Sequence, residues 1–95
     1  MSDRAPVVRA RLEIKNRLGL HARAAAQVVQ ALTGFDAVIS INKDEQTVDA
    51  KSILGLMMLA AGQGSIIEVV AEGSDADAAL AAITALVEAN FNEQA

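Results

Sequence analysis

The chain holds one histidine, His21, and no cysteine. Imidazole chemistry must therefore run through a single side chain, and disulfides, thiol nucleophiles and Cys-held metals are excluded. His21 follows Gly19 and Leu20 and precedes Ala22, Arg23 and a run of alanines. It stands where a glycine-containing loop becomes the first turn of a helix. The first amides of a helix have no intrahelical acceptor, and the helix dipole is positive there. Together they favour an anion such as phosphate. Arg23 adds a planar, delocalised cation whose fork matches phosphate oxygens. Arg17 is a second cation that could reach His21 across the loop. A neutral imidazole offers a ring lone pair near pH 7 and can accept a phosphoryl group. The loose transition state of that transfer needs positioned donors more than covalent help. Without these neighbours, a lone histidine at a helix start reads as a cap or a surface residue. A metal enzyme is poorly served by one His and no Cys. A hydrolase would need a Ser or acid placed by sequence around His21, and there is none.

Composition narrows the setting. The 95 residues suffice for one domain, with a core expected over about residues 8–90. Phe35 and Phe91 are the only aromatics, so the core must be aliphatic. Residues 1–23 carry six Arg/Lys and two Asp/Glu, while residues 24–95 carry two Lys and ten Asp/Glu. The acidic majority argues against general nucleic-acid binding. The basic start suggests that an anion is handled near residues 9–23. No signal-peptide h-region opens the chain. The longest apolar stretch, from Ile53 to Ala61, is about half of the roughly 18–20 residues a membrane span needs. A soluble cytoplasmic protein is expected.

The elements that must position His21 follow from periodicity. Val8, Ala10, Leu12 and Ile14 alternate with charged residues, as in a half-buried strand. Asn16 to Gly19 reads as a loop. Ala25, Val28, Val29 and Leu32 form the apolar stripe of a helix over 22–33, with Gly34 as its stop. Residues 36–50 read as a hairpin turning at Lys43 to Gln46. Ser52 is a plausible N-cap for a short helix that dies at Gly62-Gln63-Gly64. Ile67, Val69 and Ala71 mark the inward face of a fourth strand. Ser74 is read as the cap of a last helix whose buried stripe is Ala79, Leu80, Ile83 and Leu86. The order is βαββαβα, an α+β fold. Its economical packing is an open-faced sandwich, with a four-stranded antiparallel sheet and three helices on one face.

The short helix is too apolar to be half-buried. Leu56 and Leu59 can face the core with help from Met58, which leaves Ile53, Leu54 and Met57 exposed near the His21 loop. A core-only reading accounts for about half of these residues. An exposed apolar patch with a polar rim suits docking, and Met suits a surface that must fit several partners.

Two strings carry a resemblance. Gly19-Leu20-His21-Ala22-Arg23 and Lys51-Ser52-Ile53-Leu54-Gly55-Leu56-Met57-Met58-Leu59, continuing through Ala71-Glu72-Gly73, closely resemble the HPr family of phosphotransferase systems. The βαββαβα order is that family's fold. The resemblance implies that His21 is phosphorylated on Nδ1 and that Arg23 stabilises the phosphate. Gly19 and Leu20, with Arg17 and Ala22 beside them, would shape the phosphate loop. It implies a phosphocarrier and not a stand-alone enzyme, needing no cofactor and working as a monomer. The donor would be a phosphoenolpyruvate-dependent Enzyme I-type protein and the acceptor an Enzyme IIA-type protein. Ser52 occupies the position of a regulatory phosphoserine in some members, which would require a serine kinase/phosphorylase. Ile53, Leu54 and Met57 fall on the family's contact patch for both partners. Ala24 departs from the Pro that many members carry after the arginine. It gives up a preset φ and gains a possible donor. Ala24, the alanine run and LMMLAA look more like the nitrogen-related (NPr-type) branch than the sugar branch.

Two other readings stand beside this one. An HPr-like regulatory module could bind partners without onward transfer, although an intact His21 with Arg23 argues against that. An unrelated small ligand-binding α+β domain could use residues 62–65 as its loop. Gly62-Gln63-Gly64-Ser65 is a weak glycine signal, lacking the strand–loop–helix context of a phosphate loop.

Overall fold

The computed structural model describes residues 5–93. The alternation at the start forms β1 (Val7–Glu13), and the helical stripe forms α1 (Ala22–Leu32). The hairpin is β2 (Val38–Lys43) and β3 (Gln46–Asp49). Asp44 and Glu45 sit at its turn with φ of 50° and 70°, the left-handed pair that suits the twist of a two-residue hairpin. Then follow α2 (Ile53–Met58), β4 (Ile66–Glu72) and α3 (Ala76–Glu88), with a short 3-10 turn at Asn90–Asn92.

The strands lie in the order β1-β4-β2-β3, with every neighbouring pair antiparallel. Register follows the inward residues. Leu12 opposes Ile67, and Ala10 opposes Val69, which also opposes Ile41 on β2. A slip of one residue would turn these side chains to water, so burial of one face holds the register. Ile14, Ile39, Ile41, Ile67 and Val69 are buried there against Val28 and Leu32 of α1 and Ile83 of α3. Burying each such side chain contributes about 1.5–3 kcal/mol. The three helices lie on one face of the sheet, as expected of an open-faced sandwich. Arg9 and Arg11 fall on the opposite, exposed register of β1.

Several local expectations are corrected. Ser74 does not cap α3. Asp75 holds the N-cap position and makes no side-chain cap bond. Its carboxylate instead accepts from the amides of Asp36 and Ala37, each at 2.8 Å, tying the start of α3 to the approach of β2. Two otherwise unpaired loop amides outcompete the helix start for it. Gly73 permits this approach: its φ is +147°, and a Cβ there would meet Ala37 Cα at 2.9 Å. The stripe of α3 is rotated from that expected. Ala76, Ala79, Ile83 and Val87 are buried, while Leu80 and Leu86 pack at the margin.

α1 ends beside Gly34 without using a left-handed glycine. Thr33 Oγ1 donates to the Val29 carbonyl at 2.6 Å, and the Phe35 amide bonds the Leu32 carbonyl. α2 ends before its glycines, because Ala60 adopts φ of +51°. Ser52 does cap α2: its Oγ accepts from the Gly55 amide at 3.0 Å. Leu56 and Leu59 are buried as expected, but Met58 is 62% exposed. Residues three apart on a helix share a face, whereas Met58 is two from Leu56 and points away. Ile53, Leu54 and Met57 are exposed as expected.

These placements separate core from surface on one short helix. Leu56→Ala should cost about 2–5 kcal/mol in urea unfolding, since the side chain is wholly buried. Leu54→Glu should change stability by no more than about 0.5 kcal/mol. A loss of several kcal/mol for Leu54→Glu would place that residue in the core.

Candidate functional site

His21 is held by contacts that begin before it. Gly19 has φ of +67°, and a Cβ on it would meet Ala61 O at 2.6 Å and Gly62 Cα at 2.8 Å. Glycine therefore serves both the turn and the close approach of two backbones. The Leu20 amide donates to the Ala61 carbonyl at 2.8 Å, and the Leu20 side chain is buried. Gly19 and Leu20 thus anchor the loop to the chain just after α2. The next residue, His21, is the N-cap of α1 with extended backbone (φ −79°, ψ 179°). Its carbonyl accepts the first helical bond from Ala25 N at 2.8 Å, while its imidazole makes no cap bond. The ring is left free beside the amides of Ala22, Arg23 and Ala24, which have no intrahelical acceptor. Ala24 adds one donor that a proline would lack.

The imidazole opens into a cavity of about 510 Å³ lined by Leu18, His21, Arg23, Gln27, Phe91, Asn92 and Glu93. The structure therefore brings His21 and Arg23 together. Arg17 is not among these residues: it lines a neighbouring depression that shares Glu93, with Lys15, Asn16, Gln63 and Asn90. Arg11 lines a third, across the open face of the sheet. Arg11, Arg17 and Arg23 thus face different depressions, because they stand on a strand, a loop and a helix. Among the described residues no group of three His, Cys, Asp or Glu could hold a metal ion. No helix among them is long and apolar enough to cross a membrane.

Sequence reasoning missed two residues. Asn16, read as a mere loop residue, is 3% exposed. Its Nδ2 donates to Gly19 O at 2.8 Å and to Glu93 Oε2 at 2.7 Å. Glu93 Oε1 accepts from the Leu18 amide at 3.2 Å, and Oε2 stands 3.9 Å from His21 Nε2. No local pattern could reveal the pairs that Glu93 makes, which are separated by more than seventy residues. The one available signal was Asn16 at the loop start, a residue type that bonds nearby backbone. Leu18 is 62% exposed and forms the apolar lip of the cavity.

The Glu93 carboxyl is held below the ordinary glutamate range. The Asn16 side-chain bond is the main cause; partial burial opposes it, and the Leu18 amide and nearby His21 reinforce it. A carboxylate whose folded value is depressed stabilises the fold above its unfolded value. That contribution is lost as pH falls through the folded value. Below the ordinary glutamate range, the Asn16 side-chain amide and Leu18 amide resonances should therefore move together as Glu93 protonates. Asn16→Ala should return the Glu93 midpoint upward, as followed by carboxyl-carbon NMR. An unchanged midpoint in that variant would remove Asn16 as the cause.

Comparison with known proteins agrees with this geometry. Residues 8–89 match the family model described as the PTS HPr component phosphorylation site. The phosphocarrier protein NPr of Shewanella violacea is 51% identical over 80 residues, covering 84% of this chain and 88% of that protein. The phosphocarrier protein HPr of Treponema pallidum is 48% identical, covering 87% and 94%. The crystal structure of HPr-C-His from Thermoanaerobacter tengcongensis superposes with a TM-score of 0.88 at 42% identity, covering 93% of this chain and 99% of that one. A sheet ordered β1-β4-β2-β3 under three helices, a histidine opening the first helix and a match over most of the chain converge on one conclusion: the protein belongs to the HPr family of phosphotransferase-system phosphocarriers.

Proposed function

We propose that His21 accepts a phosphoryl group on Nδ1 from a phosphoenolpyruvate-dependent Enzyme I-type donor and passes it to an Enzyme IIA-type acceptor. The observation that carries this reading is the free imidazole at the N-cap of α1, opening with Arg23 into one cavity. The helix amides and the Arg23 guanidinium stabilise charge on the phosphoryl oxygens as it moves. The cavity is open to solvent and the His21 side chain is 28% exposed, so a partner side chain can reach the ring. A carrier needs such a site, because an enclosed one would bind the phosphoform too firmly for onward transfer. Residues 1–95 then act as a single phosphocarrier domain, monomeric and cytoplasmic, without a cofactor. Ala24 and the Shewanella NPr relative support service in the nitrogen-related branch. Arg17 lies beyond Glu93 and would steer a partner from outside the cavity.

The docking surface is the exposed face of α2. Ile53, Leu54 and Met57 offer apolar area on the helix whose exit is tied to Gly19 and Leu20. Ser52 keeps its cap role; phosphorylation there by a serine kinase would add negative charge beside this patch and repel an acidic partner. Binding of a small molecule by residues 62–65 is disfavoured. Gly64 N bonds Ile14 O at 2.7 Å and Ile14 N bonds Ser65 O at 2.8 Å, so this loop extends the β1–β4 pairing.

Incubation with phosphoenolpyruvate and an Enzyme I, followed by mass spectrometry, tests the carrier reading directly. His21→Ala should abolish acid-labile phosphorylation with the fold intact. Arg23→Ala should slow transfer far more than it alters the thermal midpoint, and Arg23→Lys should restore only part, lacking the planar fork. Phosphate appearing on His21→Ala at the wild-type rate would sink the reading.

The docking surface has its own check. Leu54→Glu and Met57→Glu should weaken donor affinity by about tenfold, equivalent to roughly 1.4 kcal/mol, at unchanged thermal midpoint. Ser52→Asp should weaken it less. Wild-type affinity in all three variants would make the patch incidental.

A further inference from the structure

Glu93 is the one acid among the described residues lining the His21 cavity. A carboxylate beside a site for a dianionic group has the wrong sign for binding that group, so its place needs another account. It is firmly placed. Asn16 Nδ2 and the Leu18 amide hold its two oxygens, and its side chain is only 13% exposed. The backbone that delivers it is unusual. Asn90, Phe91 and Asn92 have φ of 55°, 53° and 58°, three successive left-handed residues. Such residues cost about 1–2 kcal/mol each, least for Asn. Phe91 is 2% exposed in the core, and its burial offsets that cost while turning the chain back toward His21. Gln27 of α1 accepts from Asn92 Nδ2 at 3.3 Å and steadies the turn.

The carboxylate faces one end of the ring. Oε2 is 3.9 Å from Nε2, the nitrogen that the carrier reading leaves unphosphorylated. We propose that Glu93 is a positioning residue for His21: its carboxylate keeps the imidazole proton on Nε2 and so leaves the lone pair on Nδ1 as the nucleophile. This deepens the carrier reading and rests on it for the identity of the attacking atom. A hydrogen-bonding or charged neighbour at one ring nitrogen decides which nitrogen carries the proton. At 3.9 Å the effect is electrostatic, and it tightens when the ring gains charge. On transfer, the Nδ1 lone pair forms the N–P bond while the donor's bond to phosphorus breaks, its electron pair staying with the donor atom. The proton remains on Nε2, so the product is a phosphorylated imidazolium whose positive charge faces Glu93. On onward transfer the N–P electron pair returns to Nδ1 as the acceptor binds phosphorus, and the neutral ring is restored with its proton still in place.

Glu93→Gln removes the charge and keeps an oxygen for Asn16 or Leu18, while Glu93→Asp keeps the charge on a shorter arm. Ring ¹⁵N shifts of unphosphorylated protein, recorded where the imidazole is neutral, report the tautomer with no donor present. Wild type should hold mainly the Nε2–H form, and Glu93→Gln should move toward an even mixture. Phosphoryl transfer from the donor should slow about fivefold in Glu93→Gln, the scale of a unit charge at 4 Å near water. Glu93→Asp should recover part of both. An unchanged tautomer ratio in Glu93→Gln overturns the proposal, even if transfer slows, because Glu93 would then be a strut for the loop. Failure of wild type to take phosphate at all would instead overturn the carrier reading, since the tautomer is measured without it.

Discussion

The close contact between Gly19 and the chain at Ala61 and Gly62 governs the functional end of the molecule. Two backbones meet there at a separation that leaves no room for a Cβ. One hydrogen bond, from Leu20 N to Ala61 O, fastens them. The contact holds the residue before His21, so it sets where α1 begins and where the imidazole emerges. It also ties the His21 loop to the exit of α2, whose exposed face carries Ile53, Leu54 and Met57. The segment before His21 and the segment after α2 are thus fastened by a backbone contact that involves neither the ring nor the exposed face of α2.

The core gives this arrangement its stiffness. Ile14 is wholly buried at the end of β1, and its amide and carbonyl are both bonded to the 64–65 segment. Asn16 follows two residues later and is itself buried, bonding Gly19 O and Glu93. Its Oδ1 is buried and has no partner among the described residues. A buried unpaired oxygen is costly. Flipping the amide would turn that oxygen toward Gly19 O and Glu93 and be worse. The loop therefore accepts one unsatisfied acceptor in exchange for two donor bonds that order the approach to His21.

The electrostatics of the site are asymmetric by construction. Arg23 and the first-turn amides of α1 supply positive potential, while Glu93 supplies a single carboxylate at the Nε2 end of the ring. Arg9, Arg11 and Arg17 contribute less than their nearness in sequence suggests. Arg9 and Arg11 lie on the open face of the sheet, and Arg17 lies outside the cavity. On the carrier reading, the site must release its phosphoryl group and is better served by one well-placed guanidinium than by a cluster of cations.

Sequence alone determined the elements, their order and the one candidate for imidazole chemistry. Strand alternation and the helical stripe are local periodicities, and a single histidine beside Gly19 and Arg23 leaves one candidate for the chemistry. The cap at Ser52, the hairpin turn and the exposure of Ile53, Leu54 and Met57 were also legible, because each depends on a few adjacent residues. Tertiary structure decided what depends on distant partners. Asp75 abandons its helix for the amides of Asp36 and Ala37. Ala60 turns left-handed ahead of Gly62 and Gly64. Above all, Glu93 reaches His21 and Asn16 across more than seventy residues, delivered by a left-handed turn that a buried Phe91 makes tolerable. Periodicity reports which face of an element is buried, but carries no record of which remote side chain will meet it. That choice is made only when the packed core brings the two ends of the chain together.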